Sequence, residues 1–145
     1  DRLVTARALA AVLAERPETP ALIVRTLPND DSKRTRRYAG PSPAPFFTIE
    51  AARLCVRRGV RHLLVDLPSL DRAQDEGHLG AHREFWGLAR DAEVPASARR
   101  DCTITELIYA PDAVADGLYL LNLQIAPFSS DAAPSRPMVF PLECP

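Results

Sequence analysis

The sequence is poor in cysteine and glycine, and it has no long apolar run. Its three cysteines, Cys55, Cys102 and Cys144, are odd in number and widely spaced, which argues against a disulfide framework and favours buried free thiols in a reducing compartment. No apolar stretch reaches the roughly 18 residues needed to cross a bilayer, and no secretory hydrophobic segment is present. These absences predict a cytoplasmic protein.

Charge of one sign is not in excess either. The 18 lysines and arginines oppose 19 aspartates and glutamates, for a net charge of −1. Such a chain has no general attraction for phosphate backbones or anionic lipids, so we expect neither a nucleic acid nor a membrane as a partner. The motifs GxGxxG, GxxxxGKS, GxSxG and CxxC are also missing, so nucleotide-binding, α/β-hydrolase and thiol-redox hypotheses lose their usual support.

What is present has the size and composition of one globular domain, with 145 residues of which 46% are hydrophobic and 26% charged. Prolines number 14 against 6 glycines, which predicts long, stiff loops. The chain enters helical sequence almost directly after Asp1. We therefore expect 1–145 to be a single domain that forms the C-terminal part of a longer one.

Hydrophobic periodicity predicts the elements of the first half. Apolar residues at helical spacing predict a helix over 2–16, and a continuous apolar run predicts a strand over 21–27 that is buried on both faces. A second helix is expected over 49–58, capped by Thr48, and a buried strand follows over 62–67. Strand, helix and strand at this spacing form a βαβ pattern, which predicts parallel neighbours.

The remaining sequence predicts loops and shorter elements. Residues 28–45 form a long loop, of a kind that is usually functional or mobile. A short helix is expected over 80–90, and further strands over 103–109, 117–126 and 137–141.

Three polar residues, Asp66, Ser69 and Asp71, follow the predicted strand 62–67. Ligands of open α/β sheets bind beyond the carboxyl ends of strands, so this is where function is expected. The same residues also suit an Asx turn that leaves the strand. The pattern alone leaves both interpretations open.

Two histidines, His78 and His82, lie four residues apart. If a helix already runs at residue 78, both imidazoles share one face and are suited to bind zinc or manganese. Gly77 and Gly80 oppose a helix there. A pair of surface histidines is therefore the favoured local interpretation.

Two further charged residues are candidates for a site. Glu106 interrupts an apolar strand, and a carboxylate there must be exposed, paired or bound to metal. Arg136 lies in a polar loop and is suited either to hold a substrate carboxylate with two hydrogen bonds or to pair with Asp131.

Several segments taken together resemble a known family. The stretch 62–71 (HLLVDLPSLD) followed by 75–82 (DEGHLGAH) is similar to the second half of the cyclase family of metal-dependent hydrolases, which includes bacterial kynurenine formamidase and isatin hydrolase. The segment 104–108 resembles the strand that carries a metal-binding glutamate of that family. Further similar segments are the family's closing strands and final loop at 117–127 and 131–137, and shorter pieces at 25–29 and 38–40. The resemblance implies an α/β fold with a mixed β-sheet and few helices, the swivelling β/β/α fold.

The resemblance also implies roles for particular residues. The family's metal ligands fall on His82 and Glu106, which reverses the local preference for a surface histidine pair. Asp66, Ser69, Asp71, His78 and Arg136 become candidates for contacts with the substrate or with the metal ligands. Arg83 stands where many formamidases carry a second histidine.

One part of the family pattern is missing. The family's main signature, His-x-Gly-Thr-His-x-Asp-x-Pro, supplies two histidines and an aspartate to the metal, and a general-base histidine follows it; this chain contains neither. Three accounts are open: a longer hydrolase whose front part precedes this sequence, a separate chain that supplies the missing ligands, or a non-catalytic relative.

The function implied is metal-dependent hydrolysis of an amide or cyclic amide C–N bond, as in an arylformamidase, with zinc or manganese and a site that this chain holds only in part. The resemblance further suggests a homodimer and a small-molecule amide substrate. The alternative is a cyclase-fold domain that acts through protein contacts. A purely structural half would instead expose apolar sheet surface.

Overall fold

The computed structural model describes residues 2–38, 44–90 and 92–142. The chain separates into two compact units, Asp1–Pro111 and Asp112–Pro145, and each is described by itself. Among the described residues, no helix is long and apolar enough to cross a membrane.

The first unit alternates short strands and helices. In chain order its elements are β1 (Leu3–Val4), α1 (Ala6–Leu13), β2 (Ala21–Val24), a 3-10 helix (Asp31–Arg34), β3 (Phe46–Phe47), α2 (Ile49–Arg57), β4 (His62–Val65), α3 (Gly80–Trp86) and β5 (Thr103–Thr105). One parallel sheet has the order β2-β4-β5, and β1 and β3 form a second parallel pair.

The predicted βαβ unit is confirmed. β2 and β4 pair in parallel with Ala21 opposite His62, and α2 lies between them in sequence. Leu63, Leu64 and Val65 of β4 are fully buried because this strand is central. The prediction that the strand after residue 20 is buried on both faces was wrong: β2 is an edge strand among the described residues, and Ile23 is 37% exposed.

Helix α2 follows from its local sequence. The Thr48 hydroxyl accepts a hydrogen bond from the Ala51 amide at 3.2 Å, and the chain leaves the helix at Gly59 with φ +70°. The buried face carries Ala51, Ala52 and Cys55. The prediction of 49–58 is therefore confirmed to within one residue.

Helix α1 is shorter than its periodicity predicted. The residues Leu3–Val4 form β1 and pair with Phe46–Phe47, so tertiary pairing overrides the apolar spacing there. Thr5 then caps the helix by accepting a hydrogen bond from the Ala8 amide.

Helix α3 begins after His78, so it cannot place His78 and His82 on the same helical face. Gly80 is its first residue, and Leu79 before it has φ +48°. His78 therefore precedes the helix, as Gly77 and Gly80 indicated, and His78 and His82 do not share a helical face.

The core of the first unit lies between the helices and the β2-β4-β5 sheet. Its largest fully buried side chains are Phe47, Phe85, Leu63, Leu64, Leu67, Leu70, Val65 and Cys55. Cys55 and Cys102 are buried free thiols, as predicted, whereas Cys144 lies outside the described residues.

The second unit is an antiparallel hairpin of β6 (Tyr119–Ile125) and β7 (Ser135–Pro141), in register from Tyr119 opposite Pro141 to Ile125 opposite Ser135. Parallel pairs in one unit and an antiparallel pair in the other confirm the predicted α/β class with mixed strands and few helices.

Candidate metal centre

The centre begins at Asp71, which follows β4 and reaches the start of α3. Its carboxylate accepts hydrogen bonds from the Ala81 amide at 2.6 Å and the His82 amide at 3.1 Å. The same carboxylate lies 2.6 Å from His82 Nδ1. Asp71 therefore caps the first turn of α3 and orients the imidazole, leaving Nε2 for another partner.

Glu106 supplies that partner from the end of β5. Its Oε1 lies 3.2 Å from His82 Nε2 and accepts a hydrogen bond of 2.7 Å from the Leu70 amide. The structure thus brings together the two residues proposed as metal ligands, with Asp71 behind one of them. The side chains are accessible in part, since 13% of His82 and 28% of Glu106 is exposed.

The charges of this centre favour a cation. Burial of the imidazole lowers its pKa, but hydrogen bonds and charge from Asp71 and Glu106 outweigh that effect and raise the pKa of His82 to about 9. Burial likewise raises the pKa of Asp71, while the hydrogen bonds from His82 and Ala81 hold it below its usual value. Two carboxylates around one imidazole stabilise positive charge, either as a proton on the ring or as a metal ion beside it.

The donor set and its spacing fit half of a metal site. Two ligands about 2.1 Å from a tetrahedral zinc ion lie about 3.4 Å from each other. The observed separation of Nε2 and Oε1, 3.2 Å, is close to this. Imidazole nitrogen and carboxylate oxygen suit zinc and manganese. Within 2–38, 44–90 and 92–142, no group of three His, Cys, Asp or Glu side chains is arranged to hold a metal ion. His82 and Glu106 therefore fit as two ligands of a site that needs more.

Sequence reasoning missed Trp86, which lies one helical turn after His82. The two rings are 5.4 Å apart at 43°, and the indole N–H donates to the Cys102 carbonyl at 2.9 Å. Trp86 therefore lies against the His82 ring and limits its movement. The four-residue spacing of a histidine and an aromatic residue was the available signal.

Asp66 has a different environment from the one its position suggested. Its side chain is fully buried and pairs with Lys33 Nζ at 2.6 Å. It also accepts hydrogen bonds from the amide and hydroxyl of Thr26. The geometry therefore favours a role within the fold for Asp66, and contact with a substrate stays a prediction.

Ser69 and His78 lie in turns around the centre. The Ser69 hydroxyl accepts a hydrogen bond from the Asp71 amide at 3.3 Å, so the turn is closed by a serine and not by the aspartate of the predicted Asx turn. His78 lies in an exposed loop, where its Nδ1 is 2.6 Å from the Arg90 guanidinium. The structure does not unite His78 with His82 in one ligand pair.

Arg136 belongs to the second unit. It lies on β7 opposite Gln124 and lines an open groove together with Ile125, Ala126, Pro134 and Ser135. Its predicted contact with a substrate carboxylate stays a prediction.

Comparisons with known proteins agree with this fold. Residues 1–72, about half of the chain, match the family model Cyclase, described as "Putative cyclase". A solved structure from Bacillus stearothermophilus, described as a predicted metal-dependent hydrolase, is similar with a TM-score of 0.63 and 19% identity, over 96% of this chain and 57% of that one. The chain thus spans little more than half the length of that protein. No curated protein gives a significant match. The partial family match and the shared fold both support the resemblance of this chain to the cyclase family.

Proposed function

We propose that this chain is part of a metal-dependent hydrolase that cleaves an amide or cyclic amide C–N bond, as an arylformamidase does. The observation that carries the proposal is the 3.2 Å separation of His82 Nε2 and Glu106 Oε1, with Asp71 fixing the other ring nitrogen. The match of residues 1–72 to the cyclase family model supports it. The similar protein from Bacillus stearothermophilus, itself described as a predicted metal-dependent hydrolase, supports the same reaction class.

In this proposal His82 and Glu106 hold a zinc or manganese ion. A divalent ion so held polarises a carbonyl and lowers the pKa of bound water. Asp71 keeps Nε2 of His82 directed at the ion, and the Leu70 amide holds Oε1 of Glu106 in place. Hydrolysis adds the elements of water across the C–N bond, with hydroxyl going to the acyl carbon and hydrogen to nitrogen.

The remaining ligands and the general base come from outside these residues. We propose that an N-terminal segment or a second chain supplies them, because catalytic zinc usually has three protein ligands and an open position. A homodimer, a small-molecule amide substrate and a cytoplasmic location belong to the same proposal.

The direct test replaces Glu106 by Gln. The amide keeps the shape and can still accept from the Leu70 amide, but it loses the negative charge that a metal ion requires. We expect bound zinc, measured by equilibrium dialysis and elemental analysis, to fall at least tenfold while the fold is retained. Glu18→Gln is the matched control, since Glu18 is an exposed glutamate away from the centre. Equal zinc binding by wild type and Glu106→Gln contradicts the assignment.

A second function has an observation of its own. In the hairpin, Leu120 and Phe140 lie opposite each other and remain 60% and 48% exposed. An exposed apolar pair is what a structural half that folds with a partner is expected to show, and it also suits a cyclase-fold domain that acts through protein contacts. Assays with formylkynurenine-like and isatin-like amides separate the two functions when they are done on the protein that also contains the segment or chain supplying the remaining ligands, because only the hydrolase turns them over.

A further inference from the structure

The Lys33–Asp66 pair is the most deeply buried ion pair of the first unit among the described residues. Only 5% of the Lys33 side chain and none of the Asp66 side chain is exposed. Lys33 Nζ donates to Asp66 Oδ2 and to the carbonyl and hydroxyl oxygens of Thr26. Every proton of the ammonium group therefore has an acceptor inside the protein.

Stability alone is a poor explanation for such a pair. Removing two charges from water costs so much that apolar residues of similar size often serve as well or better. Buried charges of this kind do, in some proteins, specify one arrangement of the chain over others. The question is then which arrangement Lys33 specifies.

Lys33 lies in the 3-10 helix of a loop that crosses the end of the sheet. The loop leaves β2, and its side chains reach the segment that follows β5 in four places. Tyr109 donates a hydrogen bond to Asp31 at 2.9 Å, and the Arg34 guanidinium lies 5.8 Å from the centre of the Tyr109 ring. The other two contacts are hydrogen bonds from Asn29 to the Ala110 carbonyl at 3.1 Å and from Arg25 to the Pro111 carbonyl at 3.0 Å.

The segment that receives these contacts carries Glu106. Directly after Glu106, Leu107 has φ +54°, a conformation that costs a leucine about 1 kcal/mol or more. The Leu107 side chain is 64% exposed, so its own packing does not offset that strain. The Leu107 amide donates to the Leu67 carbonyl, and the Ile108 amide donates to the Val65 carbonyl. Surrounding contacts must therefore hold the segment against the end of β4.

We propose that Lys33 is a positioning residue for Glu106. Its pair with Asp66 anchors the crossing loop to the end of β4, and the loop in turn holds the strained segment that places Oε1 beside His82 Nε2. The importance of Glu106 rests on the proposed function, whereas the mechanical link from Lys33 to Glu106 does not.

The test removes the charges of the pair without leaving one of them alone. The double variant Lys33→Met/Asp66→Asn keeps side-chain length at 33 and keeps an oxygen acceptor for Thr26. The matched control is Arg53→Met/Glu84→Gln, which removes an ion pair joined by two hydrogen bonds of 2.8 and 3.0 Å between α2 and α3. Both variants are made in the full chain.

The first measurement is amide hydrogen exchange by NMR. The reporters are Leu107, whose amide donates to Leu67, and Leu70, whose amide donates to Glu106. The references are Leu63 and Leu64 in β4. We expect exchange at both reporters to rise about tenfold or more in Lys33→Met/Asp66→Asn, with the references changed far less, because only a local opening is made easier. Unchanged reporters, or reporters and references that rise by the same factor, overturn the proposal.

A milder variant covers the case in which the double variant does not fold. Tyr109→Phe keeps the ring but removes the hydrogen bond to Asp31. We expect a smaller rise in exchange at Leu107 and no change in the references. No change at Leu107 in this variant counts against the proposal.

The second measurement uses Co²⁺ alone as a probe. If wild type binds it, the Lys33→Met/Asp66→Asn variant should bind at least fivefold more weakly with an altered visible spectrum, and the control should not. If wild type binds no Co²⁺, His82 and Glu106 hold no metal without the remaining ligands, and the exchange measurement alone decides the role of Lys33.

Discussion

Asp66 and Asp71 are neighbours after the same strand, and both are buried, yet the structure uses them differently. Asp66 faces the Lys33 ammonium group, and the pair is closed to solvent. Asp71 faces His82, whose second nitrogen remains 3.2 Å from Glu106 in a centre that is exposed in part. A carboxylate paired with an internal ammonium group holds the chain in place, whereas one that orients a partly exposed imidazole leaves the second ring nitrogen accessible to another group.

The largest effect on stability is expected when the buried Lys33–Asp66 ion pair is broken. Asp66→Ala leaves the Lys33 ammonium buried without its counter-charge, and we expect the free energy of unfolding to fall by about 3–5 kcal/mol. Urea denaturation followed by circular dichroism measures the loss. Lys33→Met/Asp66→Asn serves as the comparison and should lose much less. A small loss for Asp66→Ala alone contradicts the description of this pair as closed.

The next effect concerns the open centre. Asp71→Ala removes the acceptor of the Ala81 and His82 amides and frees the imidazole to rotate, so we expect a loss of about 1–3 kcal/mol in stability. Metal affinity should fall about 10–100-fold because His82 loses its orienting partner. Titration with zinc, read by isothermal calorimetry, provides the check. Asp75→Ala is a suitable control, because Asp75 caps the neighbouring turn at Gly77 and Leu79 instead. Equal zinc affinity in Asp71→Ala and Asp75→Ala would show that Asp71 does not support metal binding.

The smallest effect concerns a third buried titratable group, the Cys55 thiol, which is not paired with a carboxylate or an ammonium group. Burial raises the pKa of the Cys55 thiol to about 11. The thiolate therefore forms only as the pH approaches that value, and we expect Cys55 to react with an aromatic disulfide reagent at pH 8 only when the protein unfolds. Mass spectrometry of the native and urea-treated protein after labelling measures this. Rapid labelling of Cys55 in the native protein contradicts its burial.

Local sequence was sufficient for the elements whose stability is local. Thr48 and Gly59 bracket α2 because a hydroxyl cap and a left-handed glycine act within one turn of the helix. The apolar run of β4 predicts a central strand. The residues between His62 and Asp66 are all apolar, so none of them requires contact with solvent. The hairpin strands β6 and β7 follow from the same kind of pattern.

The resemblance to a family was needed for the candidate site. Local reasoning preferred a surface pair of His78 and His82, and it left Glu106 with three possible environments. The structure separates the two histidines and brings His82 to Glu106, as the resemblance implied. No periodicity shows this, because the contact depends on where β5 ends relative to α3.

By itself the sequence determined the βαβ unit, α2 and the existence of the last two strands, since each depends on apolar spacing and caps within a few residues. Only the tertiary structure decided that Leu3–Val4 is a strand, that Asp71 caps α3 from ten residues away, and that Asp66 is neutralised by Lys33 across 33 residues. These outcomes depend on contacts between distant segments. Burial makes such contacts necessary, because a buried polar group without a hydrogen-bond partner destabilises the fold.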